Sequence, residues 1–285
     1  WIAPLGVRIA LLTGGMAAAE RRKGLAGLAA GDISLAVGTH ALIQEGVEFH
    51  RLGLVVVDEQ HRFGVRQRMV LGERDTNPDV LVMSATPIPR SLALALYGDL
   101  DLSLLDELPP GRQAVQTELR TPAQRGDVYR FVEQELELGR QAYVVFPLVD
   151  ESAKVDLLSA TQERDRLARE VFPHRRLGLV HGQLSSDEKE RVMRDFLAGE
   201  IDLLVATTVI EVGIDVANAT VMVVEHAERF GLSQLHQLRG RVGRGAAKSH
   251  CILIAEAGDV AQERLRVFRE TTDGFAIARA DLAIR

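Results

Sequence analysis

"GLVVVDEQHRFGV", residues 53–65, joins an apolar run to a group of charged side chains. The apolar run predicts a buried β-strand, and Asp58, Glu59 and His61 follow directly after it. Adjacent carboxylates repel each other and resist burial, so this arrangement indicates a metal site, a proton-transfer role or a solvated loop. Taken alone, the segment leaves these three interpretations open.

Apolar runs of strand length alternate with helical patterns on both sides of this segment. In the first half the predicted strands are residues 7–13, 33–39, 52–58 and 80–86, with a helix at about 16–30. In the second half they are residues 143–149, 176–182, 202–208, 220–226 and 250–256. This alternation predicts an α/β fold with parallel sheets, in which ligands bind at the carboxyl ends of strands.

Local signals mark one linker and one helix start. "DELPPGRQ", residues 106–113, combines acidic residues, paired prolines and a glycine, which predicts an interdomain linker. Ser185 with Glu188 forms a capping-box pattern at the start of a helix that ends before Gly199. We expect its apolar face to consist of Val192, Met193, Phe196 and Leu197.

The composition excludes several classes of protein. Cys251 is the only cysteine, which rules out an internal disulfide framework or a cysteine-rich metal site and favours a reducing cytoplasm. No apolar stretch approaches the roughly 20 residues of a membrane helix. The net charge of -6 argues against a uniformly basic surface, so a polyanion site must be built locally. The start at Trp1, without methionine, leads us to expect a fragment.

Two further strand ends carry short polar side chains. "VMSATPIPR", residues 82–90, places Ser84 and Thr86 where their hydroxyls can link the acidic group to a moving element. A Ser/Thr turn before a proline explains the same residues. "ATTVIEVGIDV", residues 206–216, adds hydroxyls, a glycine and Asp215, a set that suits phosphate oxygens and a ribose hydroxyl.

"QLRGRVGRG", residues 237–245, places Arg239, Arg241 and Arg244 near a predicted helix end, with glycines that allow close backbone approach. Alone, this pattern is also typical of a solvated arginine run at a helix C-terminus. Carboxylates on one α/β domain and arginines on another suit a phosphate site that is completed when two domains close. The segments together therefore predict a nucleotide-hydrolysing motor.

These segments resemble the motifs of superfamily 2 helicases and translocases. DEQH is similar to motif II, SAT to motif III, ATTVIEVGIDV to motif V and QLRGRVGR to motif VI. Within that superfamily, segments such as "VGTHALIQEGVEF", "ATPIPRSLALALYGDLDLSLLDELPPGR" and "TTDGFAIARADLAIR" resemble the bacterial branch-migration helicases. The resemblance implies two RecA-like parallel-sheet domains, 1–113 with motifs Ib, II and III, truncated at its N-terminus, and 114–258 with motifs IV, V and VI. Residues 259–285 begin a helical hairpin.

The resemblance also implies roles for individual residues. Asp58 orders Mg²⁺ through water, Glu59 activates the attacking water and His61 couples to the other domain, while Arg241 and Arg244 are candidate arginine fingers. Nucleotide recognition falls to Gln237, Gly213 and Asp215, and coupling to Ser84 and Thr86. DNA phosphates are contacted by Thr39, His40, His181, Gly182, Thr207 and Thr208.

The function implied is an ATP-driven, Mg²⁺-dependent translocase on double-stranded DNA that remodels forks and Holliday junctions, acting as a monomer in the bacterial cytoplasm. Two alternatives stay open. A transcription-repair coupling factor shares part of the motor but typically has Glu where Gln60 stands. A non-catalytic DNA-binding or regulatory remnant is the other, because no G-x-x-x-x-G-K-[ST] phosphate loop occurs in residues 1–285. We therefore expect this chain alone not to hydrolyse ATP.

Three arginines recur at helical spacing in the hairpin segment, namely Arg264, Arg266 and Arg269. They predict an outer functional face or a solvated face. Arg279 stands where the family usually has an acidic residue, which puts the function of the hairpin in doubt.

Overall fold

The computed structural model describes residues 3–44, 46–58, 78–84, 101, 103–105, 107, 113–147, 153–207, 215–256 and 258–284. The chain divides into two compact units, Trp1–Ala85 and Thr86–Arg285. The predicted linker at 106–113 lies largely outside the described residues, so the boundary after residue 113 stays a prediction.

In the first unit, the described residues form two pairs of parallel strands. Strand β1 (Ile9–Leu12) pairs with β2 (Leu35–Gly38), and helix α1 (Ala18–Ala30) connects them. Strand β3 (Leu54–Val57) pairs with β4 (Asp79–Val82). Parallel strands begin at the same end of a sheet, so the chain must cross back between them, usually through a helix. Helix α1 makes this crossover between β1 and β2. The predicted α/β pattern of this part is confirmed.

The second unit is built on a parallel sheet in which six strands are described, in the order β5-β10-β9-β6-β8-β7. The strands are β5 (Gln116–Arg120), β6 (Gln141–Val145), β7 (Leu177–Val180), β8 (Leu203–Ala206), β9 (Ala219–Val224) and β10 (His250–Ile254). Every residue of β6, β8 and β9 is buried, as expected for strands covered by helices on both faces. The five strands predicted for this half are confirmed.

The helices of this unit cover the two faces of the sheet. They are α2 (Arg125–Glu137), α3 (Ala153–Arg166), α4 (Ser186–Leu197), α5 (Leu232–Arg239), α6 (Asp259–Glu270) and α7 (Gly274–Ile284). One apolar cluster joins α4, α5, α6 and α7 to one face, and a second joins α2 to the other face. The helical pair α6 and α7 is therefore part of the second unit's packed core, with α7 against α5. Within the described residues, no helix has the length and apolar character needed to cross a membrane.

Two details differ from the prediction. Strand β5 was not predicted, because its sequence QTELR is polar and it lies at the edge of the sheet beside β10. The helix start at Ser185 is confirmed, since the Ser185 Oγ accepts a hydrogen bond from the N–H of Glu188. Leu197, however, is exposed by 54% and does not belong to the apolar face, because it stands at the last position of α4.

Candidate functional site

The carboxyl ends of β3 and β4 bring two of the predicted site residues to one edge of their sheet. Val57 is paired in register with Val82, and the N–H of Met83 donates to the carbonyl of Val57 at 2.7 Å. Asp58 follows one strand directly, and Ser84 lies two residues beyond the other. Both residues are exposed. A carboxylate and a hydroxyl thus stand at neighbouring strand ends, where ligands bind in parallel sheets.

The end of β2 carries the first of the predicted DNA contacts. Thr39 is exposed, and its N–H donates to the carbonyl of Leu12 at 3.3 Å, which holds it beside the end of β1. His40 opens a short 3-10 turn, His40–Leu42. Several other predicted site residues lie outside the described part of the chain: Glu59, His61, Thr86, Thr208 and Gly213.

The turn after α5 presents the two candidate arginine fingers. Gly240 and Arg241 continue the turn through backbone bonds to His236 and Leu238, both at 3.0 Å. Arg244 Nε donates to the carbonyl of Gly240 at 3.1 Å and lies 3.5 Å from Asp215 Oδ1. The structure therefore brings one candidate finger together with a residue predicted to recognise nucleotide.

Buried Tyr143, on β6, lies within the electrostatic reach of this group. Burial raises the pKa of Tyr143 to about 12, the positive charges of Arg241 and Arg244 act to lower that pKa, and Asp215 acts to raise it. All three charged residues thus influence the same phenol, which sequence reasoning did not single out. Gln237, predicted to contact nucleotide, is half-buried on α5.

Arg239 lies in a different environment from Arg241 and Arg244. Its side chain is exposed by only 4%, and its Nη1 donates to the carbonyls of Phe268 and Thr271, each at 3.0 Å. The guanidinium carbon also lies 4.1 Å from the centre of the Phe268 ring. Terminal carbonyls of a helix lack partners within that helix, and Arg239 satisfies them at the end of α6. For this arginine, the interpretation as part of a solvated run is wrong.

The ends of β7 and β8 place two further predicted DNA contacts side by side. The N–H of Thr207 donates to the carbonyl of Val180 at 3.2 Å, so His181 and Thr207 follow paired strands. Both are buried, at 7% and 2% exposure. Within the described residues, neither His181 Nδ1 nor Thr207 Oγ1 has a hydrogen-bond partner. Burial, and secondarily the charge of Lys189, lowers the pKa of His181, which favours a neutral imidazole.

Lys189 is a site neighbour that the sequence did not reveal. Its Nζ donates to the carbonyl of Gly182 at 2.9 Å, directly beside His181. Lys189 lies in the first turn of α4, directly after the loop that contains Gly182, and this places its side chain within reach of the Gly182 carbonyl. The lysine therefore places a positive charge at the predicted phosphate-binding loop.

Comparison with known proteins places the chain among helicases. Residues 1–94 match the DEAD/DEAH box helicase family, and residues 127–246 match the helicase conserved C-terminal domain. The chain is 55% identical over 280 residues to the ATP-dependent DNA helicase RecG of Thermotoga maritima, covering 98% of the chain and 36% of that protein. It is 48% identical to RecG of Escherichia coli, covering 100% of the chain and 42% of that protein.

The solved structures agree with these relatives. The chain is 50% identical to a structure of RecG bound to a three-way DNA junction, with a TM-score of 0.78. The match covers 100% of this chain and 37% of the RecG chain. The helicase MrfA, bound to DNA, shares only 18% identity at a TM-score of 0.68, which supports the fold alone. The chain spans roughly two fifths or less of the length of these RecG proteins. With about half of its residues identical over its whole length, the chain belongs to the RecG family of DNA helicases.

Proposed function

We propose that this chain supplies most of the motor of an ATP-driven translocase that remodels branched double-stranded DNA, such as forks and Holliday junctions. The observation that carries this proposal is the 50% identity, over the whole chain, to a RecG protein whose structure holds a three-way DNA junction. The same likeness supports this activity over a transcription-repair coupling factor or a non-catalytic remnant.

The first unit contributes acid-base chemistry and metal binding to the proposed reaction. Asp58 fits a Mg²⁺ ion, because Mg²⁺ sites in phosphoryl-transfer enzymes need only one or two carboxylates beside water and substrate phosphates. The ion would neutralise charge on the phosphates of ATP. Glu59 accepts a proton from the attacking water, and His61, Ser84 and Thr86 transmit the state of the site.

The second unit contributes positive charge. Arg241 and Arg244 stabilise the charge that develops on the transferred phosphoryl group, and Asp215, Gly213 and Gln237 help to recognise the nucleotide. The pairing of Arg244 with Asp215 supports this assignment because it keeps the guanidinium beside a residue assigned to nucleotide.

DNA contacts are proposed at strand ends in both units. Thr39 and His40 serve the first, and His181, Gly182, Thr207 and Thr208 serve the second. Hydroxyls, backbone N–H groups and lysines contact phosphates without reading sequence, which suits a motor that must move along any duplex. The buried hydroxyl of Thr207, for which the described residues provide no hydrogen-bond partner, supports this role.

The motor is further proposed to act as a monomer in the bacterial cytoplasm. Support for this location comes from relatives in the bacteria Thermotoga maritima and Escherichia coli. Light scattering of the natural-length protein, with and without DNA, measures its molar mass and so tests whether it is a monomer.

The test of the function is ATP turnover by the natural-length protein with a three-way junction, compared with a linear duplex of equal length. We expect the junction to stimulate phosphate release more strongly. Glu59→Gln serves as the control, because it retains ATP binding while losing about 100-fold or more in turnover. Turnover with the junction that does not exceed turnover with the linear duplex would contradict the proposal.

A further inference from the structure

Glu225 is a buried carboxylate that has no part in the proposed reaction. It follows the last residue of β9 directly, and its side chain is exposed by only 1%. Removing a carboxylate from water is costly unless other groups pair with it and satisfy its oxygens. Apolar residues of similar size often stabilise such a position as well or better. The presence of Glu225 therefore indicates a role other than stability.

Two residues of α2 satisfy this carboxylate. Arg125 donates three hydrogen bonds of 2.9–3.1 Å to it, and the hydroxyl of Tyr129 donates to Oε1 at 2.6 Å. Burial, followed by the charge of Glu225 and their hydrogen bond, raises the pKa of Tyr129, so the phenol stays protonated and remains a donor. The N–H of Glu225 also donates to the carbonyl of Val145 on β6 at 2.9 Å. Both the side chain and the backbone of Glu225 are thus fixed.

A short connecting segment, residues 225–231, leads from this carboxylate to α5. His226 has left-handed backbone angles, φ 51° and ψ 47°, which a residue with a side chain adopts only where its surroundings impose them. The 3-10 turn Ala227–Arg229 follows, and the N–H of Phe230 donates to the carbonyl of Ala227 at 3.2 Å. Both of these apolar residues are buried. Because the segment is short and packed, a displacement at its first residue passes to the start of α5.

Helix α5 in turn carries the candidate fingers. Fully buried Leu232 fixes its first turn in the apolar cluster on this face of the sheet. Beyond its end, the N–H of Arg241 donates to the carbonyl of Leu238, and Arg244 Nε donates to the carbonyl of Gly240. The turn is thus hydrogen-bonded to the end of α5, so the orientation of this helix decides where the two guanidinium groups lie.

We propose that Glu225, held by Arg125 and Tyr129, is a positioning residue for ATP hydrolysis: it fixes the connecting segment and α5 so that the arginine finger meets the transferred phosphoryl group. The inference rests on the proposed function and on a finger at Arg241 or Arg244. It adds residues that lie outside the segments resembling helicase motifs. Because a misplacement of about 1 Å can lower a catalysed rate about 100-fold, an anchor distant from the phosphate can control turnover.

The first test is the effect of Glu225→Gln on ATP turnover by the natural-length protein with a three-way junction. The amide keeps the shape of the side chain but removes the charge that holds Arg125. We expect kcat to fall about 10-fold or more, while KM for ATP stays within about twofold of the wild type, because the finger acts on the transition state and not on bound ATP. Circular dichroism and urea unfolding establish that the variant is folded.

A double-variant comparison shows whether Glu225 acts through the finger. Arg241→Ala and Arg244→Ala first identify the finger by their loss of turnover, and Glu225→Gln is then added to that variant. If Glu225 only positions this guanidinium, the added change causes no further loss of kcat. If it acts independently, the two fold-losses multiply.

Glu135→Gln is the matched control. Glu135 of α2 is also a buried carboxylate, exposed by 8%, and it accepts hydrogen bonds from Arg140 Nη1 at 2.6 Å and Thr220 Oγ1 at 3.2 Å. Thr220 lies near the start of β9, so this pair stands at the opposite end of the strand that Glu225 follows. We expect Glu135→Gln to lose stability as Glu225→Gln does, with kcat unchanged.

Arg125→Lys provides the test if Glu225→Gln does not fold. The Arg125 side chain is exposed by 33%, so the lysine is tolerated there. It keeps the positive charge but cannot contact both oxygens of the carboxylate with a planar fork, and we expect kcat to fall about threefold or more at unchanged KM.

The outcomes separate the inference from the function on which it rests. An unchanged kcat in folded Glu225→Gln or in Arg125→Lys, multiplied losses in the double variant, or an equal loss in Glu135→Gln would each overturn the positioning role and leave the proposed function standing. Wild-type turnover that the junction does not stimulate would refute the proposed function, and the positioning role with it.

Discussion

Arg244 Nε lies 3.5 Å from Asp215 Oδ1, and the same nitrogen donates to the carbonyl of Gly240 at 3.1 Å. The two contacts connect the turn after α5 to the segment before β9. The side chains of Arg244 and Asp215 are exposed by 29% and 59%, so the pair is accessible to a ligand and adds little to stability. We propose that the pair instead holds the Arg244 guanidinium in position to contact a phosphate group.

Replacing the finger should therefore affect catalysis more than binding. In the natural-length protein we expect Arg244→Ala or Arg241→Ala, whichever residue is the finger, to lower ATP turnover about 100-fold, because the lost charge acts on the transition state. DNA affinity should change little. Lys248→Ala, an exposed lysine nearby, is the control. Turnover unchanged in both arginine variants would remove the finger assignment from this turn.

Arg239 should contribute to stability instead. Arg239→Met removes charged hydrogen bonds to Phe268 and Thr271 and leaves buried carbonyls without a donor, so we expect a loss of about 2–4 kcal/mol in the free energy of unfolding. Arg266→Met, on the exposed face of α6, should cost less than about 0.5 kcal/mol. Urea unfolding followed by circular dichroism measures both. Equal stability of the two variants would show that Arg239 does not anchor the hairpin.

His181 should make stability depend on pH in one direction. Because burial and Lys189 lower its pKa in the folded protein, the unfolded chain takes up a proton first as pH falls. The stability linked to His181 is thus fully present above its ordinary pKa of about 6.5 and is lost as pH falls toward the lowered value. Comparing unfolding at pH 7.5 and 5.5, we expect His181→Gln to lose less stability than the wild type. His174→Gln, at an exposed position, should behave as the wild type.

The 285-residue chain by itself should not hydrolyse ATP. Motors of this kind bind phosphates through a glycine-rich loop and a lysine at a helix N-terminus, and no such sequence occurs within residues 1–285. Phosphate release in the presence of DNA measures this directly. Robust turnover would show that another segment of the chain holds the phosphates.

The sequence predicted most elements because their apolar periodicity is strong. Strand β5 escaped because its alternation is polar and its position at the sheet edge leaves Gln116 and Arg120 exposed. Leu197 was misassigned because position in the last turn, and not apolarity, decides its exposure.

Charged side chains were harder to place than strands. Motif arginines look alike in sequence, yet Arg239 is buried whereas Arg244 meets Asp215. One signal was available: Arg239 lies seven residues after buried Leu232 on α5, hence on the same helical face. Similarly, Arg264 stands beside buried Leu265 and points to backbone carbonyls, so its predicted place on an outer face is wrong. The carbonyls that Arg239 and Arg264 contact are distant from them in sequence, so a single sequence does not indicate these contacts.

Strand separation of a three-way junction by the natural-length protein tests the central claim most directly. Labelled junctions are incubated with protein and Mg²⁺, with ATP, without ATP, or with ATP and the Glu59→Gln variant, and the products are resolved on a gel. We predict ATP-dependent dissociation by the wild type and none in the other two reactions, because branch remodelling requires hydrolysis. Dissociation that proceeds equally without ATP, or that Glu59→Gln supports at the wild-type rate, would contradict an ATP-driven motor.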